Sequence, residues 1–189
     1  MFAMADANVS LYASAFSSAE AEVLFSDLRR TIDWRQETIH LFGRAVRIPR
    51  LGAWHGEAPY TYSGLTMQPR SWTPPLTEIK QRAETLSGHR FNGVLLNLYR
   101  SGKDSMSWHS DDEPELGLNP AIASVSLGAT RRFRFRRRVR KKDTQSLDLT
   151  DGSLLIMDGP TQHHWRHSVP KTAKPVGERI NLTFRLIHS

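Results

Sequence analysis

Residues 97–113 read NLYRSGKDSMSWHSDDE, and the rest of the chain can be worked out from this stretch. The strand expected to lead into it, Phe91 to Tyr99, alternates. Phe91, Leu95, Asn97 and Tyr99 should share one face, and Val94, Leu96 and Leu98 the other. Two polar side chains among apolar neighbours mark a face with a task beyond packing. Gly102-Lys103-Asp104 reads as a turn. His109-Ser110-Asp111 then sets an imidazole and a carboxylate two residues apart, on one side of any extended segment. That is half of a metal site.

Downstream the chain breaks into short apolar pieces separated by Gly, Pro, Asp and Asn. The expected strands are Ile122 to Leu127, Arg132 to Arg140, Leu147 to Leu149, Ser153 to Met157, His163 to Ser168 and Arg179 to Ile187, with a loop over Lys171 to Gly177. So many strands at this spacing, behind two leading helices, predict a sandwich or barrel with helices packed outside, a mainly β member of the α+β class. In the last strand, RINLTFRLI, the polar Arg179, Asn181, Thr183 and Arg185 share one face and Ile180, Leu182, Phe184 and Leu186 the other. An ordinary half-exposed strand has this pattern too. At about 3.3 Å per residue the two arginine Cα atoms stand roughly 20 Å apart. With both side chains reaching inward, the gap between the guanidinium groups approaches the length of a five-carbon dicarboxylate.

Upstream, Ser17-Ser18-Ala19-Glu20 fits a capping box, followed by Leu24, Phe25, Leu28 and Ile32 at helical spacing. A first helix is expected from about Ser18 to Arg30. Trp34 to Arg50 reads as two short strands around Phe42-Gly43. Trp54 to Tyr62, WHGEAPYTY, reads as a turn-rich loop whose Tyr60 and Tyr62 are either core or a platform for a flat ligand such as a base. A second helix begins near Pro75, runs through Leu76, Ile79, Ala83 and Leu86, and closes at Gly88.

Composition narrows the function classes. The 189 residues contain no cysteine, which excludes disulfides, thiolate zinc sites and cysteine nucleophiles. The opening MFAMADANVS has no basic n-region and reaches Asp6 before an apolar run, so no signal peptide is expected. No apolar run approaches the roughly 20 residues of a membrane span. A soluble, intracellular, monomeric protein of one domain is expected, cytoplasmic in a bacterium and nuclear in a eukaryote. Arg131 to Lys142, RRFRFRRRVRKK, holds nine basic residues, and without them the net charge of +7 becomes −2. Phe133, Phe135 and Val139 alternate with the arginines, which predicts an apolar inner face and a cationic outer one. Such a stripe fits a polyanion, with a nucleic-acid backbone as the leading partner.

A metal needs a third donor beside His109 and Asp111, and QHHWRHS offers His163, His164 and His167. Two imidazoles and one carboxylate make the facial set that holds non-haem Fe(II) for oxygen chemistry. Zinc competes for such donors, but a zinc hydrolase needs a separate base, and no His-Glu-x-x-His helix is present.

The pieces PYTYSG, NLYRSGKDSMSWHSDDE, IASVSLGATRRFRF, GSLLIMDGPTQHHWRHSVP and RINLTFR together resemble the AlkB family of Fe(II)- and 2-oxoglutarate-dependent nucleic-acid dealkylases, close to its homologues two and three. The resemblance runs from about Ser17 to Ile187. It implies a double-stranded β-helix, or jelly roll, over about residues 91–187, with helices and a nucleotide-recognition lid over about 17–90. It also implies His109, Asp111 and His167 as iron ligands, with His163 and His164 supporting or lining the site. Asn97, Tyr99, Arg179, Asn181, Thr183 and Arg185 would hold 2-oxoglutarate, Arg179 with Tyr99 and Asn181 at the distal carboxylate and Arg185 with Asn97 near the iron. Tyr62 and His109 would sandwich an extruded base, with Tyr60 and Glu113 at its edge.

The implied reaction consumes O2 and 2-oxoglutarate, hydroxylates the N-methyl carbon of N1-methyladenine or N3-methylcytosine, and releases formaldehyde and succinate. DNA, single- or double-stranded, is the implied substrate, with RNA as a second polymer to test. Leu41-Phe42-Gly43-Arg44 followed by Ile48-Pro49-Arg50 resembles the finger of duplex-acting members, which makes Phe42 a candidate wedge and Arg50 a substrate contact. WHGEAPYTYS and NLYRSGKDS look more like the single-strand-acting members. An oxygenase of the same cofactors acting on protein or a small molecule is the alternative.

Overall fold

The computed structural model describes residues 4–41, 44–62 and 64–188, with the backbone alone at residues 40, 41 and 62. The chain runs β1 (Asn8–Tyr12), α1 (Ser18–Thr31), β2 (Thr38–Leu41), β3 (Arg44–Arg47), β4 (Leu51–Gly56), β5 (Tyr60–Tyr62), β6 (Leu65–Met67), α2 (Pro74–Ser87), β7 (Gly93–Tyr99), β8 (Met106–His109), β9 (Ile122–Gly128), β10 (Arg131–Arg137), β11 (Thr144–Leu149), β12 (Ser153–Asp158), α3 (Thr161–His164), β13 (Trp165–Val169) and β14 (Arg179–Arg185). The capping box forms as its sequence predicts: Ser17 Oγ accepts from Glu20 N, and the Glu20 carboxylate accepts from Ser17 N at 2.8 Å. Gly88, at φ 73°, closes α2 in the left-handed conformation.

Two antiparallel sheets face each other as a jelly roll. The larger has the order β1-β12-β9-β14-β7-β4 and the smaller β11-β10-β13-β8. From β8 onward the chain passes repeatedly between them. β14 is buried along both faces: Ile180, Leu182 and Phe184 join α1 and α2 in one apolar core, and its polar face looks into the space between the sheets. There a second core gathers Leu95, Tyr99, Phe133, Phe135, Leu155, Met157 and Trp165. The polar face of β14 is therefore an inward one, and the half-exposed reading is excluded. The hairpins β2–β3 and β5–β6 form separate two-stranded sheets. Among the described residues no helix is long and apolar enough to cross a membrane.

Several expectations need correction. Phe91 lies before β7 and packs in the helix-side core with Val94, Leu96 and Leu98, not with Tyr99. Trp54 to Gly56 is strand: His55 pairs with Val94 and Gly56 with Gly93. The bare Gly93 makes room for Trp54, whose ring a Cβ there would meet at 2.4 Å. Arg131 is not on the cationic face. It shares the inward side of β10 with Phe133 and Phe135, is 2% exposed, and donates to the carbonyls of Ser101, Asp104 and Pro170. Val139 lies past the end of β10 and is 87% exposed. His163 and His164 belong to α3, so the expected strand starts only at Trp165.

Candidate metal and keto-acid site

His109 ends β8, His167 lies in β13, and the two stand opposite each other in the smaller sheet. Asp111 follows just beyond β8. Their ligand atoms all lie within 4.8 Å of one another, the one such group of three among the described residues. His109 Nδ1 donates to the Ser107 carbonyl at 2.8 Å, which fixes the tautomer with Nε2 unprotonated. Its surface is half-exposed, yet crowding by protein atoms desolvates it. That and the neighbouring His167 push its pKa down to about 3, so the ring is neutral. Burial would raise the Asp111 carboxyl, but Arg185 and the imidazoles outweigh it and hold the group well below the usual carboxylate range. Asp111 Oδ2 lies 3.3 Å from His167 Nε2 and lacks a well-formed hydrogen bond. A neutral His109 imidazole, an ionised carboxylate and an under-satisfied oxygen suit a divalent cation.

The larger sheet supplies the second half. Its register puts Arg179 opposite Tyr99, and Asn181 between Asn97 and Ser126. Asn181 Nδ2 donates to Ser124 Oγ at 2.8 Å, and Thr183 Oγ1 to Asn181 Oδ1 at 3.1 Å. Arg179 is 1% exposed, packs over the Tyr99 ring at 5.2 Å and donates through Nη2 to Ser126 Oγ at 2.8 Å. Its Nε and Nη1 are buried without a hydrogen-bond partner, and burial pushes its pKa down to about 10. A buried guanidinium with two idle donors calls for an anion. Arg185 instead pairs with Asp111, its Nε 3.2 Å from Oδ1.

The two halves form one interior cavity, lined among others by Asn97, Tyr99, His109, Asp111, His167, Asn181, Thr183 and Arg185. Arg50 departs from its expected place. It is buried, donates from Nε to Asn97 Oδ1 at 2.6 Å, and so faces the cavity wall, not solvent. Asn97, expected to bind the keto acid near the iron together with Arg185, is engaged by Arg50. Tyr60 is fully buried and stacks on Trp54 with centroids 4.8 Å apart, which decides for core over an open platform. Burial pushes both Tyr60 and the half-buried Glu113 upward; the Glu113 charge adds to the rise at Tyr60, while Tyr60 opposes the rise at Glu113. Tyr62 contributes its backbone to β5; its side chain, like the whole of Phe42, lies outside the described residues. His163 is exposed, and the α3 residue that supports the site is Gln162, whose Oε1 accepts from Asp111 N at 3.0 Å. Sequence reasoning missed Ser124, Ser126 and Gln162, and the place of Arg50 behind Asn97. The alternation of IASVSLG could have marked the two serines as inward; nothing local marks the others.

The sequence model of the "2OG-Fe(II) oxygenase superfamily" matches residues 8–185. The chain is 46% identical over 178 residues to the "Alpha-ketoglutarate-dependent dioxygenase alkB homolog 3" of Bos taurus, covering 89% of this chain and 62% of that protein. To the Homo sapiens protein of the same name it is 43% identical over 189 residues, covering 95% and 66%. To the "DNA oxidative demethylase ALKBH2" of Homo sapiens it is 39% identical over 188 residues, covering 93% and 72%. The chain thus spans less than two thirds of the length of the first two relatives. A solved structure described as "The structure of OsALKBH1" superposes with a TM-score of 0.66 at 16% identity, covering 94% of this chain and 97% of that one, a likeness of fold.

Proposed function

Because the chain belongs to the 2OG-Fe(II) oxygenase superfamily, and within it to the AlkB family, we propose that it is an Fe(II)- and 2-oxoglutarate-dependent dioxygenase that demethylates N-alkylated bases in DNA. The observation that carries the reading is the His109, Asp111 and His167 cluster in one cavity with Tyr99, over whose ring the buried, under-satisfied Arg179 packs. His109, Asp111 and His167 would hold the iron. Arg179, Tyr99 and Asn181 would take the distal carboxylate of the keto acid, with Thr183 buttressing Asn181. Arg185, paired with Asp111, holds that carboxylate ionised and oriented. Asn97, backed by Arg50, lines the wall near the metal. When bound, the iron, keto acid and dioxygen would supply the oxidation of the N-methyl carbon, which leaves as formaldehyde while the keto acid becomes succinate and CO2. The chain's own part is to align these groups and to keep water out of a cavity whose polar lining is backed by the apolar Phe133, Val169 and Met106. Glu113, beside the metal loop, offers a carboxylate to a base made cationic by methylation.

Two features support a nucleic-acid substrate. Arg132, Arg134 and Arg136 alternate along the outer face of β10, and the last two lie 5.5 and 4.4 Å over the Trp108 ring. Arg136 also stands directly opposite Arg166 across the β10–β13 pair. Like charges in register destabilise a sheet, and a polyanion bound there would relieve them.

The test is mass spectrometry of single- and double-stranded oligonucleotides carrying one N1-methyladenine or N3-methylcytosine, incubated with Fe(II), ascorbate and 2-oxoglutarate. Loss of the methyl group in the parent and its absence in His167→Ala are expected. Succinate formation indifferent to methylated oligonucleotide would point instead to a protein or small-molecule substrate. An RNA arm tests the second polymer, and sedimentation tests the monomer. Phe42→Ala is expected to lower turnover of duplex substrate more than of single strands; equal losses would remove the wedge.

A further inference from the structure

Asp111 poses a mechanical problem. Its neighbours in the proposed trio, His109 and His167, are fixed by strand pairing, but Asp111 lies beyond the end of β8, where no ladder hydrogen bonds reach it. Arg185 pairs with its carboxylate, and two further side chains hold the loop itself. One is Gln162, fully buried, which accepts from the Asp111 N–H. The other is Arg138, just past the end of β10. Arg138 N donates to the His164 carbonyl at 2.9 Å. Its Nη2 donates to Ser110 Oγ at 2.8 Å and to the Asp112 carboxylate. Ser110 is itself buried and donates onward to the Trp165 carbonyl at 3.2 Å. Residues 110 and 112 flank the carboxylate ligand, so one guanidinium grips the peptide on both sides of it.

We propose that Arg138 is a positioning residue for the Asp111 carboxylate, reaching out of the cationic turn after β10 to fix the loop and thereby set the metal affinity of the site. The inference rests on the reading of His109, Asp111 and His167 as metal ligands. It separates from two simpler roles. As an exposed ion pair with Asp112 alone, Arg138 would contribute little to stability and nothing to the metal. As a bare positive charge near the site it would repel a dication, and its removal would tighten binding. Positioning predicts weaker binding, on the scale seen when groups that orient metal ligands are lost.

The experiment is titration of the metal-free full chain with Mn(II), a redox-silent dication, followed by calorimetry and by the electron paramagnetic resonance of the free ion. Arg138→Ala is expected to weaken Mn(II) binding about tenfold or more, with a metal-free melting temperature within about 4 °C of the parent. Ser110→Ala breaks the other end of the grip without changing charge and is expected to weaken binding severalfold. Lys141→Ala, in the same turn, should bind as the parent does. Parental or tighter binding by both Arg138→Ala and Ser110→Ala overturns the inference while the metal site stands. A parent that binds Mn(II) no better than His167→Ala overturns the metal site and this inference with it.

Discussion

Replacing Arg179 with methionine should move two measurements in opposite directions. The side chain is buried, with Nε and Nη1 unpartnered, and each idle buried donor costs about 1–3 kcal/mol. Removing both relieves about 2–6 kcal/mol. Against that stand the hydrogen bond to Ser126 and the contact with the Tyr99 ring, together about 1–3 kcal/mol. At the middle of these ranges the net relief is about 2 kcal/mol, so the ligand-free variant is expected to melt about 4–8 °C above the parent, at about 2–4 °C per kcal/mol for a chain of this size. Keto-acid binding goes the other way. Two charge-assisted hydrogen bonds at about 1.5–3 kcal/mol each are lost, so 2-oxoglutarate affinity should fall at least about a hundredfold. Differential scanning calorimetry of the ligand-free protein, with isothermal titration of 2-oxoglutarate into the Mn(II)-loaded protein, reads both. A variant that loses several degrees of stability yet binds 2-oxoglutarate like the parent would refute the assignment of Arg179 to the carboxylate.

Gly93→Ala places a Cβ 2.4 Å from the Trp54 ring, in a wall that cannot yield without displacing the Trp54–Tyr60 stack. A loss of about 1–3 kcal/mol is expected in urea unfolding. Asp104 titrates in the acid range. Burial pushes its carboxyl up, but hydrogen bonds from Arg100 N at 2.9 Å and Nε at 2.8 Å bring it below the ordinary value. A depressed carboxyl stabilises the fold above its unfolded pKa and loses that contribution as pH falls through the folded one. Asp104→Asn should therefore flatten the stability curve below about pH 4 while shifting its neutral plateau down; an unchanged acid limb would count against the pairing. Arg134→Ala with Arg136→Ala should reduce the slope of log affinity against log salt for oligonucleotide by about 1.5–2. Fluorescence anisotropy at several salt concentrations measures it, and an unaltered slope would take the outer face of β10 out of the interface.

Most of the site was legible because it lies on strands. The alternation of RINLTFR put Arg179, Asn181, Thr183 and Arg185 on one face before any fold was known, and His-x-Asp with a later histidine outlined a metal set. Periodicity alone could not choose His167 over His163 and His164; the turn of helix at Thr161–His164, invisible to alternation, made the difference. Residues that act across long chain separations left no local mark. Arg50 meets Asn97 47 positions away, and Gln162 meets Asp111 51 positions away. Arg131 was misjudged because a charge inside a basic run looks like surface, yet its odd position in β10 turns it inward with Phe133. Tyr60 stayed open between core and platform because proline and glycine around it signalled an open loop, while the hairpin β5–β6 folds it against Trp54.

β14 sits between β9 and β7 in the larger sheet, although it comes 51 residues after the end of one and 80 after the end of the other. During synthesis both of those neighbours leave the ribosome with a raw edge toward an empty slot, and the slot is filled only when residues 179–185 arrive. Until then the nascent chain carries two unpaired strand margins able to capture another copy. Pairing so remote in sequence makes the closing step slow, and a chaperone that shields the β7 and β9 margins would gain more folded product than one that acts on the helices.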